Sequence, residues 1–124
     1  MREIKFRGKQ VDENESVWRF GYLQYHNRIS DGVSLWWVDP ETVGQYTGAK
    51  DINGKEIYED DIARVSAAYN TKLILQGRVY FLKDKMQYVL LDKDTFYTRL
   101  NWGQAEVIGN IHDNPELLEA NQRT

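Results

Sequence analysis

"QYTGAKDINGKEIYEDDIARV", residues 45–65, places turn-forming residues first and strand-forming residues after them. Asn53 and Gly54 form the dipeptide that most strongly predicts a β-hairpin turn, because both central residues of a type I′ turn have positive φ. Gly48 predicts a second tight bend. The residues that follow are expected to anchor the turn in an apolar core: Ile57, Tyr58 and Ile62. We therefore interpret the stretch as a structural turn that starts a β-barrel.

Three adjacent acids in this stretch, Glu59, Asp60 and Asp61, invite a metal-binding interpretation. An EF-hand loop, however, needs alternating oxygen ligands, a central Gly and a terminal Glu over about twelve residues, and that spacing is absent. We predict no metal site here. We expect instead that these carboxylates cap backbone amides, and that Asp51 accepts hydrogen bonds in an Asx turn.

Working outward from this turn, the chain shows the period-two alternation of strands almost throughout. A hairpin is predicted from residues 17–25 and 34–38, with 26–32 as its turn. A tight connection is expected at residues 83–85. The other predicted strands are "REIKFR", "IARVSAAY", "KLILQGRVYFL", "QYVLLD" and "AEVIGNI".

Two short helices interrupt the strands. Asp39 followed by Pro40 predicts an N-cap and a first helical residue, and Asn114 followed by Pro115 repeats the pattern near the end of the chain. The predicted fold is mainly β, with an N-terminal β subdomain (1–57) packed on a small C-terminal barrel (58–124, strands from about Tyr58 to Ile111) and a short C-terminal helix. The turn-dense region 44–61 is predicted to be the seam.

Composition narrows the classes of function. The 124 residues are 41% hydrophobic and include no cysteine, which excludes disulfides, thiolate metal sites and cysteine nucleophiles. The charged N-terminus predicts no secretory signal, so we expect a cytoplasmic protein without membrane association. Net charge is −3, but residues 63–100 carry seven basic and three acidic side chains, which indicates either a polyanion-binding face or internal pairing.

Catalytic motifs are absent from the sequence. The imidazoles, His26 and His112, lie far apart and outside any zinc-binding pattern, and no GxSxG or glycine-rich phosphate loop occurs. A carboxylate pair such as Glu56 with Asp61 could act as acid and base only within a cleft that the sequence does not reveal. We predict a non-enzymatic protein without a cofactor.

Three segments carry a resemblance to a known family: "REIKFRG", "DPETVGQYTGAKDINGKEIYEDDIARV" and "AEVIGNIHDNPELL". They resemble the YopX family of phage and prophage proteins, which is functionally uncharacterised. The resemblance implies a β-rich N-terminal part joined to an SH3-like barrel. Asp60 departs from the family pattern, which has Gly there, and Ala63 stands where Val is usual. The family signature falls on Gly44, Gln45, Tyr46, Thr47, Gly48, Asp51, Gly54, Ile57, Tyr58, Glu59, Asp61 and Ile62.

Three functions from different classes remain open. The chain is predicted to be a phage-encoded module that binds a host or phage protein through exposed aromatic residues, with homo-oligomerisation by edge pairing or Trp burial as a further expectation. A nucleic-acid-binding barrel is the alternative, which requires basic residues to converge on one face with aromatics between them. An enzyme would need a pocket with perturbed titratable groups. The candidate binding residues are Trp36, Trp37, Lys72, Arg78, Lys83 and Lys85.

Overall fold

The computed structural model describes the backbone of residues 3–11 and 17–121, and side chains up to residue 118. Arg2 of the opening motif lies outside these residues. Within these described residues strands dominate, with three single-turn 3₁₀ helices and one α-helix. The elements are β1 (Phe6–Lys9), β2 (Trp18–Gln24), β3 (Arg28–Ser30), β4 (Leu35–Trp37), β5 (Gly44–Lys50), β6 (Glu56–Tyr58), β7 (Asp61–Ala67), β8 (Asn70–Leu82), β9 (Gln87–Asp92), β10 (Thr95–Tyr97), β11 (Glu106–Asn110) and α1 (Glu116–Asn121).

The strands form two sheets whose assigned pairings are antiparallel. One has the order β4-β3-β2-β1-β5-β6 and the other the order β10-β9-β8-β7-β11. The mainly β prediction and the short C-terminal helix are therefore confirmed. Neither sheet closes on itself in the described part of the chain, so the fold is established as two open sheets.

The chain divides into two compact units, Met1–Gly48 and Ala49–Thr124, and the boundary falls inside β5. In the second unit, Ile57 joins the buried residues of three strands in one apolar core, which contains Ile57, Ala63, Val65, Val79, Leu90 and Ala105. In the first unit, Ile29 and Val38 are fully buried and meet over Gly8, where an added Cβ would lie 2.9 Å from Val38. The predicted domain boundary at 57/58 stays a prediction.

Two predictions about the N-terminal strands are wrong. The segment 26–32 is not merely a turn, because it contains β3, which pairs with both β2 and β4 and separates them. The region 44–61 is not turn-dense at its start either, because Gly44–Lys50 is a strand. Both strands contain few apolar residues, which hid them from the sequence pattern. Ile29 is the fully buried residue of β3, and Tyr46 is the large buried side chain of β5. Gly48 has φ +91° but lies within β5.

The predicted helix cap at Asp39 and the predicted connection at residues 83–85 agree with the structure. Asp39 accepts a hydrogen bond from the amide of Glu41 at 3.0 Å and begins the 3₁₀ turn Pro40–Thr42. The predicted connection at Lys83–Lys85 is a 3₁₀ turn between β8 and β9. The short strand β10 was not predicted, because "TFY" is too short to show a period.

Candidate functional site

The turn at Asp51–Lys55 is held by the carboxylate of its first residue. Oδ1 of Asp51 accepts from the amides of Asn53 and Lys55, each at 2.9 Å, and Oδ2 accepts from the amide of Val107 at 3.0 Å. Burial raises the pKa of Asp51, but these three backbone hydrogen bonds and the nearby Lys55 charge outweigh it, so the pKa lies below its ordinary value. Asp51 thus ties the hairpin to β11.

The same turn corrects the predicted type. The amide of Gly54 donates to the carbonyl of Asp51 at 3.0 Å, and the amide of Asp51 donates to Lys55 at 2.8 Å. Gly54 has φ +81°, whereas Asn53 is not among the described residues with positive φ. The hairpin is therefore a three-residue loop closed by glycine rather than a type I′ turn.

The acidic run forms the next corner, between β6 and β7. Asp61 is buried, and its Oδ2 accepts from the amide of Tyr58 at 2.8 Å. Asp60 has φ +70°, so the residue that replaces the family's Gly does occupy a left-handed position. Its Oδ1 lies 3.0 Å from a guanidinium nitrogen of Arg78, and its Oδ2 lies 3.7 Å from Nε2 of His112. The ion pair with Arg78 offsets the backbone strain at Asp60. We call residues 51–62 the signature corner.

The late motif "GNIHDNP" is also a structural device. Oδ1 of Asn110 accepts from the amides of His112 and Asp113 at 3.0 and 2.9 Å, and Oδ1 of Asn114 accepts from the amide of Asn110 at 3.2 Å. A Cβ on Gly109 would lie 2.5 Å from that same Asn114 oxygen, so only Gly fits there. The two Asn side chains turn the chain from β11 into α1.

A different region of the molecule presents side chains outward. Trp37 on β4 lies opposite Arg28 on β3, which lies opposite Gln24 on β2. Leu35 and Tyr22 flank Ser30 in the same way. Directly paired residues and every second residue along a strand share one face of a sheet. That face is exposed. We call it the aromatic face, and its members are Phe20, Tyr22, Arg28, Leu35 and Trp37.

Exposure on the aromatic face is high for such large apolar side chains. Phe20 is 46% exposed, Tyr22 65% and Trp37 53%. The guanidinium of Arg28 lies 4.1 Å from the Trp37 ring centre and 5.4 Å from that of Tyr25. Trp, Tyr and Arg are the residues most enriched among those that dominate binding energy at interfaces.

Charge on these strands is of one sign. Strands β1 to β4 contain Arg7, Lys9, Arg19 and Arg28 and no Asp or Glu. All four of these cations lie over Trp rings: Arg7 and Lys9 over Trp18 at 4.6 and 5.8 Å, Arg19 over Trp36 at 4.6 Å and Arg28 over Trp37 at 4.1 Å. A cation that stacks on a ring keeps its charge available to an acidic partner, and the stacking limits the mobility of the cationic side chain.

The predicted binding residues do not form one surface. Trp37 belongs to the aromatic face, whereas Trp36 is half-buried on the other side of β4. Lys72 lies near the start of β8, and Lys83 and Lys85 follow its end. Arg78 is held by Asp60. The remaining residues of the signature, among them Gly44, Gln45, Tyr46 and Thr47, lie in β5.

Sequence reasoning did not single out Phe20, Tyr22 and Arg28. The period-two pattern of "WRFGYLQ" places Trp18, Phe20 and Tyr22 on one side of a strand, but it does not indicate whether that side is exposed. Gly21 was an available signal of a closely packed neighbouring strand. A Cβ there would meet the backbone carbonyl oxygen of Ser30 on β3 at 2.1 Å, so only Gly fits at this position.

Two concave surfaces are also present. One, of about 200 Å³, lies beside Phe20 and Tyr22 and is bounded by Lys5 and Asp31. The other, of about 500 Å³, lies on the second sheet between Arg64, Ile74 and Asn101. Within the described residues, no cluster of three or more His, Asp or Glu side chains has a geometry that could hold a metal ion.

Comparisons with known proteins place the chain in a family. No curated protein matches it. None of the helices in the described part of the chain has the length and apolar character needed to cross a membrane. The family model described as YopX protein matches residues 5–119, which run from the N-terminal strands into α1. Because this match spans nearly the whole sequence, the chain belongs to the YopX family.

Proposed function

We propose that this protein is a phage- or prophage-encoded, non-enzymatic interaction module that binds a host or phage protein in the bacterial cytoplasm through the aromatic face. The observation that carries the proposal is the set of exposed rings on one side of β2 and β4, with the Arg28 guanidinium over the ring of Trp37 and near that of Tyr25. Exposed aromatic rings next to an oriented guanidinium are typical of binding hot spots.

The signature corner supports the non-enzymatic part of this proposal. Its three aspartates are occupied by structural contacts: Asp51 and Asp61 accept from backbone amides, and Asp60 pairs with Arg78. A general acid or base must reach the proton that it transfers, and these carboxyl groups are committed to structural contacts. We therefore assign the long family motif to folding.

We further infer an SH3-like architecture for the second unit. Strands β7 to β10 follow one another as a meander, and β11 returns to pair with β7 after the 3₁₀ turn Trp102–Gln104. The long strand β8 takes part in two pairings, with β7 as far as Arg78 and with β9 from Arg78 onward. This strand order and the division of one long strand between two partners are what an SH3-like barrel requires.

The test is capture from prophage-induced host cells with and without nuclease. The wild-type protein is compared with a Tyr22→Ser/Trp37→Ser double variant and with a matched control, Tyr69→Ser/Phe96→Ser, whose aromatic residues are exposed in the second unit. We expect a nuclease-resistant protein partner with the wild type and the control but not with the double variant. Equal capture by all three proteins would contradict the proposal.

A nucleic-acid partner is the second candidate, because the strands of the first unit combine exposed rings with cations and contain no acid. The net charge of −3 acts against it. Fluorescence polarisation with an oligothymidine at two salt concentrations distinguishes the candidates. Affinity that falls steeply with salt and is lost in the double variant would favour nucleic acid.

A further inference from the structure

Arg28 carries a charge that no anion balances in the described part of the chain. Its guanidinium contacts the rings of Trp37 and Tyr25. Its Nε is shielded from water and has no hydrogen-bond acceptor among the described residues, and no carboxylate there forms an ion pair with it. Withdrawing part of a charged group from water without a partner costs free energy. A carboxylate brought to Arg28 would therefore be stabilising.

Arg19 shows the same stacking with the guanidinium satisfied. Its guanidinium lies 4.6 Å from the ring centre of Trp36, and its Nε donates to Oε1 of Gln10 at 2.7 Å. Stacking on an indole ring does not by itself keep a guanidinium from an acceptor. The missing acceptor is thus particular to Arg28, and it points to a group supplied from outside the chain.

The backbone beside this cation is strained. Tyr25 has φ +59°, a left-handed conformation that bulky residues rarely adopt. Its side chain is 75% exposed, so burial in a core does not compensate for the strain. The conformation places the Tyr25 ring 5.4 Å from the guanidinium of Arg28. Strained residues of this kind cluster at ligand-binding sites, which is a second observation in favour of a ligand here.

The surface around Arg28 is apolar. Trp37 and Leu35 on β4 are exposed. The amide of Val11 donates to the carbonyl of Trp37 at 2.9 Å next to an antiparallel bridge, so Val11, also exposed, lies opposite Trp37 on the same face. A nucleic-acid backbone needs a track of several cations. One guanidinium among apolar side chains instead suits one carboxylate that has apolar neighbours.

We propose that Arg28 is the carboxylate-binding residue of the aromatic face, and that the partner is a protein segment with an Asp or Glu side chain between apolar residues. This inference rests on the proposed function, because it names the chemistry of the partner at the same face. The guanidinium offers paired N–H groups that the two oxygens of a carboxylate accept. Trp37 and Tyr25 orient it before the partner arrives, which reduces the entropy lost on binding. The apolar residues of the segment pack on Trp37, Leu35 and Val11.

The first test selects ligands for the purified protein. A display library of random short peptides is panned on the wild type, on Arg28→Gln and on a matched control, Arg99→Gln, which removes an exposed arginine of the second unit. We expect the wild type and the control to enrich peptides with an acidic residue beside apolar ones. Arg28→Gln should show no acidic preference. A wild type without that preference, or an equal preference in Arg28→Gln, would overturn the proposal.

The second test titrates one selected peptide and its counterpart with glutamine in place of the acid, which compares two ligands on the unchanged wild-type protein. We expect the acidic peptide to bind about tenfold more tightly, and Arg28→Gln to abolish that difference. Arg28→Lys should retain part of it, because an ammonium keeps the charge but lacks the planar fork. Thermal melting checks that both variants stay folded. Equal binding of the two peptides by the wild type would contradict the proposal.

The outcomes separate this inference from the proposed function. A protein partner that is captured equally by the wild type and by Arg28→Gln would overturn the carboxylate assignment and leave the aromatic face as a binding surface. Oligothymidine that displaces the acidic peptide, with an affinity that falls steeply with salt, would overturn it in favour of phosphate. A loss that is confined to the acidic peptide and to variants of Arg28 would support it.

Discussion

The signature corner and the aromatic face use their polar and aromatic residues in opposite ways. In the corner, Asp51 and Asp61 are buried, and backbone amides surround their carboxylates. On the aromatic face, Tyr22 and Trp37 are exposed on strands that carry cations and no acid. The difference teaches that the most distinctive motif of the sequence builds the scaffold, and that the less distinctive strands present the binding surface.

The largest effect on stability is expected from Asp51→Asn. The amide side chain replaces one acceptor oxygen with a donor, so one of the three backbone N–H groups that Asp51 now accepts from faces another donor. We expect a loss of about 2–3 kcal/mol in the free energy of unfolding, measured by urea denaturation. Asp94→Asn, at an exposed turn, should change it by less than about 0.5 kcal/mol. Equal effects of the two variants would remove the distinction between corner and surface.

The pH dependence of the stability difference between the wild type and Asp51→Asn sharpens the comparison. Because folding lowers the pKa of Asp51, its contribution is present in full above the unfolded-state pKa of about 4 and is lost as pH falls toward the folded pKa. The stability difference between wild type and Asp51→Asn should therefore shrink below about pH 4. Urea denaturation at neutral pH and at acidic pH measures this, and a constant difference would contradict the assignment.

A smaller effect is expected at the glycine that closes the loop. Gly54 has φ +81°, and no atom lies within 4 Å of where a Cβ would be. Gly54→Val should therefore cost only the conformational penalty, about 1–2 kcal/mol. Gly54→Asn should cost less, because Asn tolerates positive φ. Thermal melting of the two variants checks the order, and a more stable Val variant would show that the loop adopts another conformation.

Variants of Asp60 test whether the ion pair of its carboxylate compensates for the strain of its left-handed backbone. Asp60→Ala keeps the left-handed backbone and loses the contact with Arg78, so we expect a cost of about 1–2 kcal/mol. Asp60→Gly removes the strain together with the charge and should lie within about 1 kcal/mol of the wild type. Denaturation of both variants should rank Gly above Ala. The reverse order would mean that left-handed strain plays no part here.

The smallest effect on stability is expected on the aromatic face. Tyr22→Ser changes an exposed side chain and should alter the free energy of unfolding by less than about 0.5 kcal/mol. Partner capture should nevertheless fall at least tenfold, since exposed Tyr is a common binding anchor. A variant that melts early and also loses its partner would place Tyr22 with the scaffold rather than with the surface.

The sequence predicted most of the second unit, because long apolar runs such as those of β7, β8 and β9 have a clear period and bury a shared core. It missed β3 and β5 because each depends on one large buried side chain, Ile29 or Tyr46, within polar or glycine-rich surroundings. These two segments are extended because they pair with neighbouring strands, and a local sequence pattern does not encode that pairing.

The candidate site was less predictable than the fold. Alternation indicates two faces for a strand such as "WRFGYLQ" but not which face is covered. That choice depends on Gly8, Ile29 and Val38, which come from three other parts of the chain and close the opposite side of the sheet. The predicted lysines failed to converge because β8 separates Lys72 from Lys83 by its own length.

The stacking of cations on indole rings gives the protein a built-in optical reporter. Trp18, Trp36 and Trp37 each lie beneath a charged side chain in the first unit, whereas Trp102 packs against the apolar core of the second. Indole emission responds to nearby charge and to water. A partner that engages Arg28 would therefore shift the light emitted by Trp37, so that binding can be followed without any label.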